Sequence, residues 1–218
     1  MCGRYSFAVE DQLIKERFGV RVRSAVYKAR YNCAPTQDLA VFTSAEAGEL
    51  QFFRWGLIPS WAKDPAIGNR MINARAESLA EKPSFRNSFR SRRCLVPATG
   101  FFEWKRNGEK VPYNIYVKDE KIFTFAGLWD QWVSPDGEIV KSFTIITTTP
   151  NQLMAEIHDR MPVILQKENE KVWLESLEEG ALKALLVPFP EERMEMYPVS
   201  PLVNNPRNDN GEVVARVS

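Results

Sequence analysis

Four residues in this chain have types suited to covalent chemistry: Cys2, Asn73, Glu103 and His158, the last being the sole histidine. With Met1 removed, Cys2 would carry a free α-amine and a thiol on adjacent carbons, a 1,2-aminothiol that no internal cysteine can present. An aldehyde meeting that pair condenses with the amine to an imine, and the sulfur then closes a five-membered thiazolidine on the same carbon. With reference pKa values near ~8 for the amine and ~8.5 for the thiol, only a minor fraction of each is reactive at neutral pH, so proton-accepting neighbours matter. The competing reading of Cys2 is a small apolar residue at a frayed end.

The other three also have two readings each. Glu103 lies between Phe102 and Trp104, and in an alternating strand those aromatics face one way and the carboxylate the other. There it either points to solvent or, if partly buried beside aromatic bulk, has a raised pKa and passes protons near neutrality. His158 sits in a polar loop at a helix end, where side chains reach into clefts, although a lone histidine is more often structural. Asn73, in Ile72-Asn73-Ala74-Arg75, suits a turn or cap as well as a site.

These residues need a scaffold, and 218 residues suffice for one domain with a sizeable core. With 29 basic against 28 acidic side chains, overall charge does not advertise a nucleic-acid partner. Its distribution is more telling. Arg70 to Arg93 holds seven basic residues against two acids, a net of +5, while Asn151 to Met196 holds ten acids against five bases, a net of −5. Cys2, Cys33 and Cys94 are an odd number at wide spacing with no CxxC, which argues for a reducing compartment and against a metal site; no cofactor is expected. No secretory leader and no 18-residue apolar run are present, so a cytoplasmic protein without a membrane segment is expected.

The spacing of apolar residues predicts a short helix from Val9 to Phe18, stopped by Gly19. Strands are expected at Leu39–Thr43, Gln51–Gly56, Pro112–Val117, Ile122–Trp129, Ser142–Thr147 and Met161–Leu165, with turns at Asn107-Gly108 and Asp136-Gly137. Trp55 to Trp61, interrupted by Gly56 and Pro59, is expected to be an irregular exposed loop. Further helices are expected at Pro83–Arg90, Pro150–Ile157 and Glu168–Leu186, the last split at Gly180, and the tail from about 204 reads as a loop. Many short strands with helices inserted irregularly among them imply an α+β single domain with a mostly antiparallel, barrel-like β-sheet core and peripheral helices.

Several segments together resemble the SRAP family, the SOS response-associated peptidases or abasic-site-processing proteins. They are Met1-Cys2-Gly3-Arg4, Tyr31-Asn32-Cys33-Ala34-Pro35, Trp55-Gly56-Leu57-Ile58-Pro59, Ile72-Asn73-Ala74-Arg75-Ala76-Glu77, Gly100-Phe101-Phe102-Glu103-Trp104 and Ile157-His158-Asp159-Arg160-Met161-Pro162. Pro198-Val199-Ser200 and Val203-Asn204 continue the family's order, and Cys33 departs from a commonly apolar position without consequence for the chemistry.

The resemblance implies a protein of the DNA damage response that crosslinks itself to abasic sites in single-stranded DNA through Cys2, whose open-chain deoxyribose supplies the aldehyde. It implies that Asn73 holds the α-amine, that Glu103 shuttles protons during imine formation and ring closure, and that His158 acts as acid or base on the sugar. Phosphate contacts are then expected from Arg4 and Arg75, and further from Arg70, Arg86 and Arg90. Trp55, Trp61 and Pro35 are expected to stack on or wedge between flanking bases. A monomer fits such a lesion reader. The competing function is a thiol peptidase or autoprocessing hydrolase built on Cys2, His158 and Asn73, an activity the family name records.

Overall fold

The computed structural model describes residues 2–23, 25–46, 48–105 and 110–217. Thirteen strands among them are β1 (Tyr5–Phe7), β2 (Arg30–Cys33), β3 (Asp38–Thr43), β4 (Gln51–Trp55), β5 (Asn73–Arg75), β6 (Arg93–Ala98), β7 (Gly100–Trp104), β8 (Pro112–Val117), β9 (Phe123–Val133), β10 (Ile139–Thr148), β11 (Met161–Pro162), β12 (Ile164–Leu165) and β13 (Met194–Pro198). Five helices accompany them: α1 (Asp11–Phe18), α2 (Arg86–Ser91), α3 (Gln152–Ala155), α4 (Glu170–Glu175) and α5 (Glu179–Ala184). None of these helices is long and apolar enough to cross a membrane.

Strands β10, β4, β3, β6 and β9 follow one another in a single sheet, and β9 pairs back onto β10 along the hairpin from Val133↔Ile139 to Gly127↔Ile145. The ring is thereby closed, a five-stranded barrel in which only β4 and β10 run parallel. Closure removes the unpaired edges that an open sheet would expose. A second sheet, in the order β13-β8-β7-β1-β2, lies against the barrel. The joint between them is aromatic: the Tyr5 ring meets Trp55 edge-on at 5.2 Å and Phe125 at 5.9 Å, and Phe101 meets Phe125 at 5.9 Å. All four are buried, and truncating any of them should cost ~3–5 kcal/mol.

Most expected elements appear close to their sequence signals. Gly19 ends α1 in the left-handed conformation, with φ 65°. The expected Met161–Leu165 strand is two short pieces, β11 and β12, which pair with β10 and β9. The split near Gly180 falls instead at Ser176–Glu178, and Gly180 sits inside the first turn of α5. Extended Ser176, which caps α4, is what breaks the helix, so the glycine was a misleading marker. The Asn107-Gly108 turn lies outside the described residues.

The largest correction concerns Trp55. It ends β4 with no exposed surface, its ring against Tyr5 and Phe143, and its indole N–H donates to the Ile72 carbonyl at 2.9 Å. Gly56 to Pro59 beyond it are buried as well, and exposure begins only at Ser60 and Trp61. Gly56, at φ 125°, lets the chain turn against the backbone of Gly68; a Cβ would stand 2.6 Å from the Gly68 carbonyl oxygen.

The tail is also more ordered than its composition suggests. Residues Pro201–Asn204 and Gly211–Val214 form 3-10 turns, with Val203 and Val213 buried against Phe102. Asp209 accepts from the backbone N–H groups of Tyr31 and Asn32 at 2.6 and 3.0 Å, which covers the free edge of β2.

Candidate active site

Cys2 precedes β1 and is fully buried. Three neighbours fix it. The side-chain amide of Asn73 donates to the Cys2 carbonyl at 2.9 Å, and the Cys2 thiol points to the carbonyl of Arg4 at 3.8 Å. The carboxylate of Glu103 acts on it through its charge: burial, and after it Glu103, push the thiol far above its ordinary pKa. Glu103 is itself buried, on the same face of β7 as Phe101 and opposite Phe102 and Trp104.

Backbone pairing explains why these residues meet. In the second sheet β1 lies beside β7, with Tyr5 opposite Phe101, and the Phe102 N–H donates to the Arg4 carbonyl at 3.0 Å. Glu103 is thus carried alongside the residues just after Cys2. Asn73 comes from the barrel side, on β5, which runs parallel to β10 with Asn73 opposite Ile145. Its Nδ2 is spent on Cys2, while its Oδ1 is buried with no hydrogen-bond partner among the described residues. An unsatisfied buried acceptor is costly unless something occupies it in the working state.

His158 follows α3 and is buried, held through its backbone N–H to the Met154 carbonyl at 2.8 Å. Its Nδ1 accepts the Arg160 N–H at 3.0 Å and also lies 2.9 Å from the Asp159 carboxylate. The amide needs a lone pair on Nδ1 and the carboxylate needs a proton there, so the two neighbours serve an unprotonated and a protonated Nδ1 respectively. Arg160 donates to the Thr147 carbonyl at 2.6 Å, and Thr147 is the register partner of Arg75 on β5. The loop carrying His158 therefore borders the strand that carries Asn73.

The expected DNA-binding residues divide. Arg75, Arg70, Arg86 and Arg90 are exposed, Trp61 is 56% exposed, and Pro35 is half-buried in the turn after β2. Trp55, as described, is core and offers no stacking face. Arg4 does not present a free guanidinium: its Nη1 donates to Asn32 Oδ1 at 2.9 Å and to the Val203 carbonyl, and its Nη2 to the Asn204 carbonyl at 3.1 Å. Of the seven basic residues in the Arg70–Arg93 stretch, Arg92 is taken by Asp130, and buried Arg93 donates to carbonyls of Phe89, Arg90, Trp173 and Ser176.

Sequence reasoning assigned no role to Arg160, Glu77 or Asn32. Arg160 donates to both oxygens of Glu77 at 2.5 and 2.9 Å, and this pairing holds the Glu77 carboxyl below its usual range. Both residues stood inside the quoted motifs; the signal was their joint presence beside Asn73 and His158, which only the fold turns into a contact.

The model of the SOS response associated peptidase (SRAP) family matches residues 1–206. The chain belongs to the SRAP family. The abasic site processing protein YoqW of Bacillus subtilis is 47% identical over 221 residues, spanning 98% of this chain and 99% of YoqW. The abasic site processing protein HMCES of Xenopus tropicalis is 37% identical over 224 residues, spanning 88% of this chain and 67% of HMCES. A crystal structure of a protein from Bacteroides thetaiotaomicron matches with a TM-score of 0.92 at 36% identity over the whole of both chains. A second, from Bordetella bronchiseptica, matches with a TM-score of 0.80 at 25% identity, covering 91% of this chain and all of that one. Within this SRAP protein Cys2, Asn73 and Glu103 meet although they are far apart in sequence, and the loop of His158 borders the strand that carries Asn73.

Proposed function

We propose that this protein processes abasic sites in single-stranded DNA by forming a thiazolidine with Cys2 once Met1 has been removed. The observation that carries the reading is the surroundings of Cys2, whose carbonyl is held by the Asn73 amide and whose thiol lies close enough to the buried Glu103 carboxylate to feel its charge. The family and the names of the curated relatives agree with an abasic site as the target.

The chemistry runs amine first. The Cys2 amine adds to the sugar aldehyde, Glu103 relays the proton that lets the hydroxyl leave as water, and an imine results. The thiol then adds across the C=N bond, sulfur to carbon and proton to nitrogen. In this reading an N–H of the free amine donates to Asn73 Oδ1, which is buried without a partner among the described residues. His158, the one imidazole in the sequence, is in this reading the group that exchanges a proton with the sugar hydroxyl.

A thiol peptidase asks for the opposite thiol. Such enzymes lower the cysteine pKa with a paired imidazolium, whereas here burial and a carboxylate raise it. The test is a denaturing gel of purified protein with abasic single-stranded DNA. A denaturant-resistant adduct, absent in Cys2→Ala and in protein with an uncleavable N-terminal extension, is the expected result. Complexes that dissolve in denaturant would reduce the protein to a binder, and peptide cleavage surviving the N-terminal extension would favour the hydrolase. Affinity should fall as salt rises, through contacts from Arg75, Arg70, Arg86 and Arg90.

A further inference from the structure

Arg4 stands at the centre of a knot that uses both of its ends. Its carbonyl accepts from the Cys2 thiol at 3.8 Å and from the Phe102 N–H at 3.0 Å, so one oxygen joins the residue bearing the nucleophile to the strand bearing Glu103. Its guanidinium reaches the other way, to Asn32 Oδ1 and to the Val203 and Asn204 carbonyls of the C-terminal segment. That segment is fastened in turn. Asn32, with no exposed surface, donates through Nδ2 to the carbonyls of Val203, Asn205 and Asn208 at 3.2, 3.1 and 2.9 Å. The Trp104 indole N–H donates to Asn204 Oδ1 at 2.7 Å, one residue beyond Glu103. No carboxylate pairs with Arg4 among the described residues, and its planar fork is matched to neutral oxygens at fixed positions.

We propose that Arg4 is a positioning residue: clamped by Asn32 and by the Val203–Asn204 turn, it fixes the Cys2 amine and sulfur against Glu103, and it is not a ligand for DNA phosphate. The C-terminal turn is then part of the reaction's scaffold although it touches none of the reacting atoms. This rests on the thiazolidine reading and adds to it the source of the site's rigidity. A misplacement of about 1 Å can cost roughly a hundredfold in rate, so loosening this clamp should be visible kinetically.

The test uses Arg4→Lys, which keeps the charge and loses the fork, and Asn204→Ala, whose exposed side chain can go without threatening the fold. Two aldehydes are offered: abasic single-stranded DNA, and 2-deoxyribose, which carries no phosphate. With either, one C–N and one C–S bond form and the aldehyde oxygen leaves as water, so intact mass reports the product. Arg4→Lys is expected to lower the limiting rate at saturating DNA roughly tenfold, and the deoxyribose rate by a similar factor, while DNA affinity and its salt slope stay as in wild type. Asn204→Ala should lower both rates a few-fold. An affinity loss or reduced salt slope with an unchanged deoxyribose rate would make Arg4 a phosphate contact and overturn the proposal, as would wild-type rates in both variants. If wild-type protein itself forms no adduct with either aldehyde, it is the thiazolidine reading that fails.

Discussion

Glu77 receives both terminal nitrogens of Arg160, at 2.5 and 2.9 Å, and this fork ties the turn after β5 to the loop that carries His158. The fork joins two of the four segments that supply the site. Glu77 is more than half exposed, so the pair adds little to global stability. Its effect should be local. Glu77→Gln is expected to leave the melting temperature within a few degrees and to slow adduct formation a few-fold, measured in single-turnover reactions at saturating abasic DNA. An unchanged rate would mean that the Thr147 carbonyl alone holds Arg160.

Trp55 and Trp61 separate two roles that their shared segment conceals. Trp55→Ala removes a fully buried ring and should destabilise the fold by ~3–5 kcal/mol in denaturant titration. Trp61, 56% exposed, should change stability by no more than ~0.5 kcal/mol when replaced by Ala. Its loss should instead weaken binding to single-stranded DNA by ~1–3 kcal/mol, the usual worth of one stacked base. A Trp61→Ala variant that binds normally in a fluorescence anisotropy titration would remove Trp61 from the interface.

The two tryptophans also mark what the sequence could convey. Alternation and turn residues identify β3, β4, β8, β9 and β10 within a few positions, because a half-buried strand imposes its own period. Closure of the barrel had no such local signature: it depends on β9 returning to β10 and on β4 lying parallel to β10, pairings between distant segments. Burial of Trp55 is likewise a consequence of Tyr5 and Phe143 arriving from elsewhere. Glu103 illustrates the same limit, since its two readings differed only in what would cover its face of β7. The Arg4 clamp was illegible for a further reason. Two of its three acceptors are backbone carbonyls, which carry no residue identity, and the third, Asn32 Oδ1, lies 28 positions away.

Buried thiols give the protein an alkaline limit. Burial pushes Cys33 up to about 12, while an unfolded cysteine titrates near ~8.5. The folded form keeps its proton where the unfolded form has lost it. The stability this represents is fully present below ~8.5 and is lost as pH rises from there through about 12. Denaturant midpoints should therefore fall progressively above pH 9. Cys94 shifts in the same direction, so Cys33 and Cys94 should resist iodoacetamide in native protein at pH 8 and react on unfolding. Rapid alkylation of either in native protein, read by peptide mass, would contradict its burial.

Glu103→Gln offers the sharpest separation of proton transfer from placement. The substitution keeps the shape of a buried side chain and removes its ability to shuttle protons, so the loss should approach that of general acid–base catalysis, roughly a hundredfold or more in adduct formation. Removing the negative charge also relieves the Cys2 thiol, whose pKa Glu103 helps to raise. The two effects oppose each other at different steps. Imine formation should slow, while ring closure, which gains from a more acidic thiol, should not. Trapping the imine with borohydride during the reaction distinguishes them: in Glu103→Gln little imine should accumulate, because its formation limits the rate. Asn73→Ala is the companion measurement. It loses one neutral hydrogen bond to the Cys2 carbonyl, worth ~1 kcal/mol, and should lower yield a few-fold at unchanged DNA affinity. If imine builds up in Glu103→Gln, the carboxylate acts at ring closure, and its assignment to the first step is wrong.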